Sequence, residues 1–234
     1  MSYREHAPGA ALEPWLECLW ERHGEPGPPV RVLPDGCIDI VFDAGTGAQL
    51  VGANTTAFLV PVARRAHVVG ARMLPGCAPA LLGIAAEEVL DARVPIVEVL
   101  GDAGARLEQS LFDRAGAVPA LRSALQPFAA EAAAPDPLVR AAATRLERPG
   151  ISIAALAREL AISERTLRRR VTTGVGYGPR RLARVLRLGR ALRAARAGED
   201  LARVAFEAGY ADQAHFTNDC RALAGVPPSI ALAR

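Results

Sequence analysis

The sequence predicts an α+β domain, a small antiparallel sheet or partial barrel followed by helices, and then an all-α domain with two helix-turn-helix units. Short β-like runs broken by glycine and proline fill the chain up to Pro79. Beyond it, apolar residues recur at three- and four-residue spacing, as in amphipathic helices. Downstream of Pro137 no strand pattern is left. We therefore expect an N-terminal domain over residues 1–132, a linker over 133–137 and a C-terminal domain over 138–234.

The strands are predicted from apolar runs that end in turn residues. Residues 30–34 and 37–42 flank a Pro-Asp-Gly turn, a sequence that favours a reversal of the chain. Further β-like runs are found at residues 49–52, 57–61 and 67–75. The helical segments that follow them are at residues 80–84, 94–100, 105–112 and 118–128. The N-terminal domain is therefore expected to place its strands before its helices.

The C-terminal region predicts helices only. Pro137 suits the first turn of a helix, and the sequence Pro149-Gly150 ends that helix. A first helix-turn-helix pattern covers residues 151–171 and a second covers residues 200–223. A long helix that begins at Pro179 and ends near Arg196 is expected to join the two units.

Each unit has the local chemistry of a helix, a tight turn and a second helix. In the first unit Ala157 is small where two crossing helices must approach, and Ser163 can cap the second helix. In the second unit Gly209 can adopt the left-handed turn conformation, and Asp212 can cap the last helix. These four residues are the predicted structural positions of the two turns.

The charge is divided unequally between the two predicted domains. Residues 1–135 carry a formal charge of −6 and residues 136–234 carry +9, within a net charge of +3. All 28 basic residues are arginines, whose planar guanidinium groups suit forked contacts with phosphate or guanine. A basic domain beside an acidic one is the electrostatic pattern of a nucleic-acid-binding module.

The second helix of each unit exposes side chains that can contact DNA. The predicted base-reading residues are Arg165, Arg168, Arg169, Gln213, Ala214, Thr217 and Asn218. The predicted phosphate contacts are Ser163, Arg170, Arg180, Arg181, Arg184 and Arg221. Asp219 lies beside the second group and would repel a phosphate if it faced the DNA backbone.

These motifs resemble the DNA-binding domain of AraC-type transcriptional regulators. The matching residues are Ala157, Ser163, Leu167, Arg169, Gly176, Pro179, Leu182, Arg187, Ala191, Ala205, Gly209, Asp212, Phe216, Gly225 and Pro228. The resemblance implies a seven-helix domain whose two recognition helices enter adjacent major-groove segments on one face of DNA. Three positions depart from it, because Val171 and Cys220 stand where Phe is frequent and Asn218 stands where Arg is frequent.

The N-terminal half resembles a less characterised domain found in a subset of these regulators. The resemblance is carried by residues 32–42, 68–76 and 94–101. In the wider group this position commonly senses a small molecule, dimerises, or does both. The expected partners are therefore double-stranded DNA, together with RNA polymerase, a small-molecule effector and a second copy of the chain as further candidates.

The sequence also leaves three functions open besides that of a DNA-binding transcription regulator. One is a regulator that acts mainly through protein contacts and binds DNA weakly. Another is a thiol or metal sensor in which Cys18, Cys37, Cys77 and His67 converge, although the four cysteines lack the C-x-x-C spacing of a zinc finger. A third is an enzyme that uses Asp35, Asp39 and Asp43 near Cys37, a set that matches no catalytic motif.

The interpretation of the sequence as a transcription regulator leads to further expectations. It predicts no catalytic residue, no cofactor and no metal. The N-terminus lacks the apolar core of a signal peptide, and no apolar run approaches the ~20 residues that span a bilayer. We therefore expect a cytoplasmic protein that makes no contact with a membrane.

Overall fold

The computed structural model describes residues 2–24, 27–62, 66–114 and 116–232. An antiparallel sheet has the strand order β1-β2-β7-β4-β5-β8, and β3 and β6 form a separate two-stranded ribbon. The strands are β1 (Ser2–His6), β2 (Leu16–Gly24), β3 (Gly27–Val32), β4 (Asp39–Asp43), β5 (Gly47–Val51), β6 (Phe58–Val62), β7 (Ala66–Met73) and β8 (Arg93–Pro95). Strands precede most of the helices in this part of the chain, as the sequence predicted.

Among the described residues, most helices follow the strands along the chain, and a 3₁₀ turn lies at Ala86–Val89. The helices are α1 (Ala78–Leu82), α2 (Ile96–Asp113), α3 (Val118–Glu131), α4 (Pro137–Leu146), α5 (Ile153–Glu159), α6 (Glu164–Val175), α7 (Pro179–Arg196), α8 (Leu201–Glu207), α9 (Gln213–Ala224) and α10 (Pro228–Ala231). This architecture confirms the predicted fold class. The joining helix α7 begins and ends at the two residues that the sequence indicated.

The strands on either side of the Pro-Asp-Gly turn do not pair with each other. β3 pairs with β6, whereas β4 lies between β5 and β7 in the main sheet. Pro28 and Pro29 lack the N–H groups that an interior strand must donate, which confines β3 to a ribbon edge. Gly36 of the turn has φ +86°, and a Cβ there would lie 2.8 Å from the Leu182 side chain of α7. The turn therefore carries the chain from the ribbon to the main sheet and packs on α7.

One face of the main sheet forms the core with the helices. Ile40 and Leu50 are fully buried on this face, and Leu111 and Leu125 of α2 and α3 are fully buried with them. The opposite face carries a smaller apolar cluster around Cys18 and Trp20. Successive side chains along a strand point to opposite faces, so a sheet with one covered face is expected to place alternate residues in the core.

The helical C-terminal part is hydrogen-bonded directly to the sheet region. The Ala57 N–H donates to the Leu223 carbonyl oxygen at 2.7 Å, and the Arg31 guanidinium donates to the Ala224 carbonyl oxygen at 2.9 Å. One hydrophobic cluster includes residues of both parts. Residues 132–136 lie between α3 and α4. The domain limits at 132 and 138 remain a prediction, since a shared core crosses them.

Candidate nucleic-acid interface

The first helix-turn-helix unit consists of α5 and α6. Ser152 Oγ accepts the Ala155 N–H at 3.1 Å at the start of α5, and Ser163 Oγ accepts the Thr166 N–H at 3.1 Å at the start of α6. Ala157 of α5 is 2 % exposed, and its carbonyl oxygen accepts the Ile162 N–H at 3.0 Å in the turn. The two caps satisfy backbone N–H groups at the start of each helix and so set where it begins.

Removing the second of these caps is expected to destabilise the unit. Ser163→Ala leaves one N–H of the first turn of α6 without its side-chain acceptor, which costs about 1 kcal/mol. Ser163→Asn is the matched control, because asparagine caps helices about as well as serine. Thermal unfolding followed by circular dichroism checks both variants. Equal melting temperatures for Ser163→Ala and Ser163→Asn would refute a capping role.

Helix α6 has a buried face and a basic face. Leu167 and Val171 are fully buried against the core. Arg165, Arg168 and Arg169 are exposed on the other side of the helix. Within the described chain these three arginines make no hydrogen bond or ion pair. Their guanidinium groups are therefore available to an external partner.

Arg170 is placed differently from its neighbours. Its Nε donates to Asp136 Oδ2 at 2.7 Å and its Nη2 donates to Asp136 Oδ1 at 2.6 Å. Asp136 also caps α4 by accepting the Leu138 N–H at 2.9 Å. Burial opposes the charged carboxylate, but the bonds from Arg170 and Leu138 prevail and hold the pKa of Asp136 below its usual value. A phosphate contact by Arg170 would compete with this ion pair, so Arg170 braces α6 against α4.

The second unit consists of α8 and α9. Asp200 caps α8 by accepting the Ala202 N–H at 3.0 Å, and Asp212 caps α9 by accepting the His215 N–H at 2.6 Å. Gly209 lies in the turn with φ +82°, the conformation that the sequence required of it. A shallow depression of about 440 Å³ lies on the exposed face of α9. It is lined by Gln213, Ala214, Thr217, Asn218 and Arg221.

Asp219 points into the protein and away from this exposed face. The residue is 4 % exposed, and its carboxylate accepts hydrogen bonds from Arg184 and Arg187 of α7. Its Oδ2 also accepts the Tyr210 hydroxyl at 3.0 Å. Asp219 therefore does not repel phosphate. The apolar period of α9 could have shown this, since Asp219 follows the buried Phe216 by three residues.

The arginines of α7 divide into exposed and engaged groups. Arg180 is exposed and has no hydrogen-bond partner in the described chain. Arg181 donates to the Thr55 carbonyl oxygen of the sheet region at 2.9 Å. Arg190 donates to the carbonyl oxygens of Glu147 and Ala208, which ties α4 to the turn of the second unit. A cavity of about 310 Å³ lies between the two units. Its lining includes Arg148, Arg180, Arg184, Arg187 and Arg190.

Among the described residues, Cys18, Cys37, Cys77 and His67 do not converge in one cluster, which was left open as an alternative. All four cysteines are free and buried, and burial raises the pKa of Cys18 to about 12 and that of Cys77 to about 11. Within the described residues, His67 groups with Glu21 and His23 instead of with cysteines. The sequence could not show this, because it depends on the pairing of strands that are distant along the chain.

The aspartates near Cys37 have different partners. Arg72 Nε lies 3.4 Å from Asp35 Oδ2 and 3.8 Å from Asp39 Oδ1, whereas Asp43 accepts the Gly45 N–H in the turn after β4. Burial raises the pKa of Asp39 to about 8, with Asp35 adding to the effect and Arg72 opposing it. These groups form an ion network at the start of β4, in which Asp35 is exposed and Arg72 and Asp39 are partly buried. Of the described helices, none has the length and apolar character to cross a membrane.

The comparisons with known proteins agree with this geometry. Residues 156–234 match the family "Helix-turn-helix domain", and residues 4–95 match "Domain of unknown function (DUF6597)". No curated protein matches the sequence. Solved structures do match. A structure of apo ToxT from Vibrio cholerae covers 92 % of this chain and 96 % of its own at 13 % identity, with a TM-score of 0.50. That likeness extends the fold over nearly the whole chain.

Two further solved structures match the C-terminal part. One is the C-terminal domain of AraT, a response regulator from Geobacillus stearothermophilus, at 20 % identity and a TM-score of 0.39; it covers 42 % of this chain and 84 % of its own. The other is a probable AraC family transcriptional regulator from Rhodopseudomonas palustris at 26 % identity and a TM-score of 0.37, covering 42 % and 95 %.

The two helix-turn-helix units and the match over residues 156–234 support DNA-binding transcription regulation as the role of this region. The chain carries a domain that matches the helix-turn-helix family over residues 156–234 and one that matches DUF6597 over residues 4–95.

Proposed function

We propose that the protein reads a specific DNA sequence with α6 and α9, which enter adjacent segments of one major groove. The observation that carries the proposal is that α6 and α9 each begin at a side-chain cap and each expose a polar face to solvent. An α-helix fits the major groove, where each base pair presents a distinct pattern of donors and acceptors. The two faces are joined by α7, whose 18 residues span about 27 Å.

Helix α6 contributes the stronger set of base contacts in this proposal. Arg165, Arg168 and Arg169 share one face and are free of internal partners in the described chain. An arginine can donate two hydrogen bonds to O6 and N7 of guanine. The proposed site for α6 is therefore rich in guanine.

Helix α9 contributes contacts of a different kind. Gln213 and Asn218 can each bond an adenine through N6 and N7, while Ala214 and the methyl group of Thr217 can contact a thymine methyl. The Asp219 carboxylate is neutralised from inside by two arginines. The proposed site for α9 is therefore rich in A·T pairs.

The proposed phosphate contacts come from residues beside the two reading helices. Arg180 and Arg221 are exposed, and the Ser163 hydroxyl lies at the N-terminus of α6. Arg170, Arg181 and Arg184 are left out because Asp136, Thr55 and Asp219 engage them. Such contacts fix the register of the protein on the duplex without reading sequence.

The salt dependence of binding tests the phosphate contacts. Two arginine contacts give a slope of log K against log salt of about −1.8, so affinity falls about 12-fold between 50 and 200 mM salt. Arg180→Ala is expected to reduce the magnitude of the slope by about 0.9. Fluorescence anisotropy with a DNA duplex taken from a binding-site selection measures both slopes. Arg106→Ala on α2 is the matched control, since this arginine is exposed outside the helix-turn-helix units.

Two outcomes would contradict the proposal. If Arg180→Ala keeps the slope of the wild type, Arg180 contacts no phosphate. If the selection enriches no sequence above a random library, the protein does not read DNA specifically. The second outcome would favour a regulator that acts through protein contacts.

The N-terminal domain is proposed to pass a signal to the C-terminal domain or to hold two copies together. The hydrogen bonds from Arg31 and Ala57 to the end of α9 support the first role, because they couple the sheet region to a reading helix. The proposed binding of DNA by α6 and α9 requires neither an effector nor RNA polymerase. The expected cytoplasmic location rests on this DNA-binding role.

A further inference from the structure

Three of the four histidines in the chain meet at one corner of the main sheet. His23 of β2 and His67 of β7 are directly opposite each other in the antiparallel register. Glu21 precedes His23 by two residues, so it lies on the same face of β2. His6, at the end of β1, reaches the same carboxylate from the other side.

The distances around the Glu21 carboxylate are short. Glu21 Oε1 lies 3.0 Å from His6 Nε2, and Glu21 Oε2 lies 3.4 Å from His23 Nε2 and 3.5 Å from His67 Nε2. One potential ligand atom from each of Glu21, His23 and His67 lies within 4.8 Å of the other two. The rings of His23 and His67 stack in parallel, with centroids 4.2 Å apart.

These distances match the spacing of ligands around a metal ion. At Zn–N and Zn–O lengths near 2.05 Å, neighbouring ligand atoms of a tetrahedral site are about 3.3 Å apart. The two Oε2-to-Nε2 distances, 3.4 and 3.5 Å, are close to that value. Binding requires the stacked rings to turn so that both Nε2 lone pairs face the ion. The χ2 torsion of histidine is soft enough to allow this turn.

A second observation points to a ligand at this corner. His67 Nε2 is buried from solvent and has no well-aligned hydrogen-bond partner in the described chain. A buried polar atom without a partner costs free energy, and a bound ion would remove that cost.

We propose that Glu21, His23 and His67 bind a divalent transition-metal ion, for which Zn²⁺ is the probe. Two imidazoles and one carboxylate suit zinc, copper or nickel and leave a coordination position open. His6 is a positioning residue, because its bond to Oε1 orients the carboxylate whose Oε2 faces the ion. The bound ion would cross-link β2 to β7 at the edge of the core. Nothing in the proposed DNA reading requires this site.

The experiment uses the untagged full chain after treatment with a chelator. Zn²⁺ is titrated in competition with a chromogenic chelator, and one equivalent is expected to bind to the wild type. His67→Ala and Glu21→Gln are expected to lose that equivalent, and His6→Gln to weaken it by about 10- to 100-fold. His215→Ala is the matched control, since His215 lies on α9 and hydrogen-bonds the Ala211 N–H.

A spectroscopic probe keeps the proposal testable if a variant folds poorly. Cu²⁺ bound to the wild type is expected to show nitrogen hyperfine splitting in electron paramagnetic resonance. Absence of wild-type binding would overturn the proposal. So would an unchanged equivalent in both His67→Ala and Glu21→Gln, or a Cu²⁺ signal without nitrogen ligands.

Discussion

Simultaneous replacement of Arg168 and Arg169 by alanine is expected to abolish the preference of the protein for its selected DNA site. Each arginine that bonds a guanine through two hydrogen bonds contributes about 1–3 kcal/mol of discrimination against the wrong base. The double variant should therefore lose between about fivefold and 160-fold of its discrimination between bases per contact. Binding to random DNA should fall much less, because the phosphate contacts stay in place.

This variant is expected to fold as the wild type does. Both side chains are exposed, and the buried face of α6 with Leu167 and Val171 is untouched. Alanine is also the best helix former, so the substitutions do not weaken the helix. The melting temperature should stay within a few degrees of the wild type, and circular dichroism checks this.

The role of α6 in base recognition is tested by comparing a selected duplex with a scrambled duplex of the same composition. Arg106→Ala should keep the full ratio of affinities between the two duplexes. If the double variant also keeps that ratio, α6 does not read the site. Gln213→Ala with Asn218→Ala on α9 would then be the next pair to test, since these side chains line the other exposed face.

The local chemistry of the helical region was predictable from sequence. Ser163 and Asp212 cap the second helices, Gly209 has the left-handed conformation, and α7 has the predicted bounds. These features depend on interactions between residues a few positions apart. Periodicity and capping chemistry carry such information directly.

The sequence did not predict which arginines form hydrogen bonds within the protein. Arg170 and Arg181 looked like Arg168 and Arg180 in sequence, yet Asp136 and Thr55 engage the first two. Their partners lie 34 and 126 residues away along the chain. Only the packing of α6 on α4, and of α7 on the sheet region, brings these groups together. The same reason explains why the pairing of His23 with His67 was missed.

Asp219→Asn is expected to destabilise the C-terminal domain by about 2–4 kcal/mol. The carboxylate is buried and accepts hydrogen bonds from Arg184, Arg187 and Tyr210. Asparagine keeps the shape but removes the charge that balances two guanidinium groups. Removing one partner of a buried pair costs about 3–5 kcal/mol, and we reduce this value because the Arg184 and Arg187 side chains are 40 % and 26 % exposed.

Chemical denaturation at neutral pH measures this loss. Glu207→Gln is the matched control, because Glu207 pairs with Arg203 on the surface of α8 and the loss of that pair should hardly change stability. Arg187→Met added to Asp219→Asn should recover part of the stability, since it removes a guanidinium left without its partner. If Asp219→Asn is as stable as the wild type, the carboxylate does not hold α9 against α7. The orientation of α9 must then come from apolar contacts such as those of the buried Phe216 and Leu223.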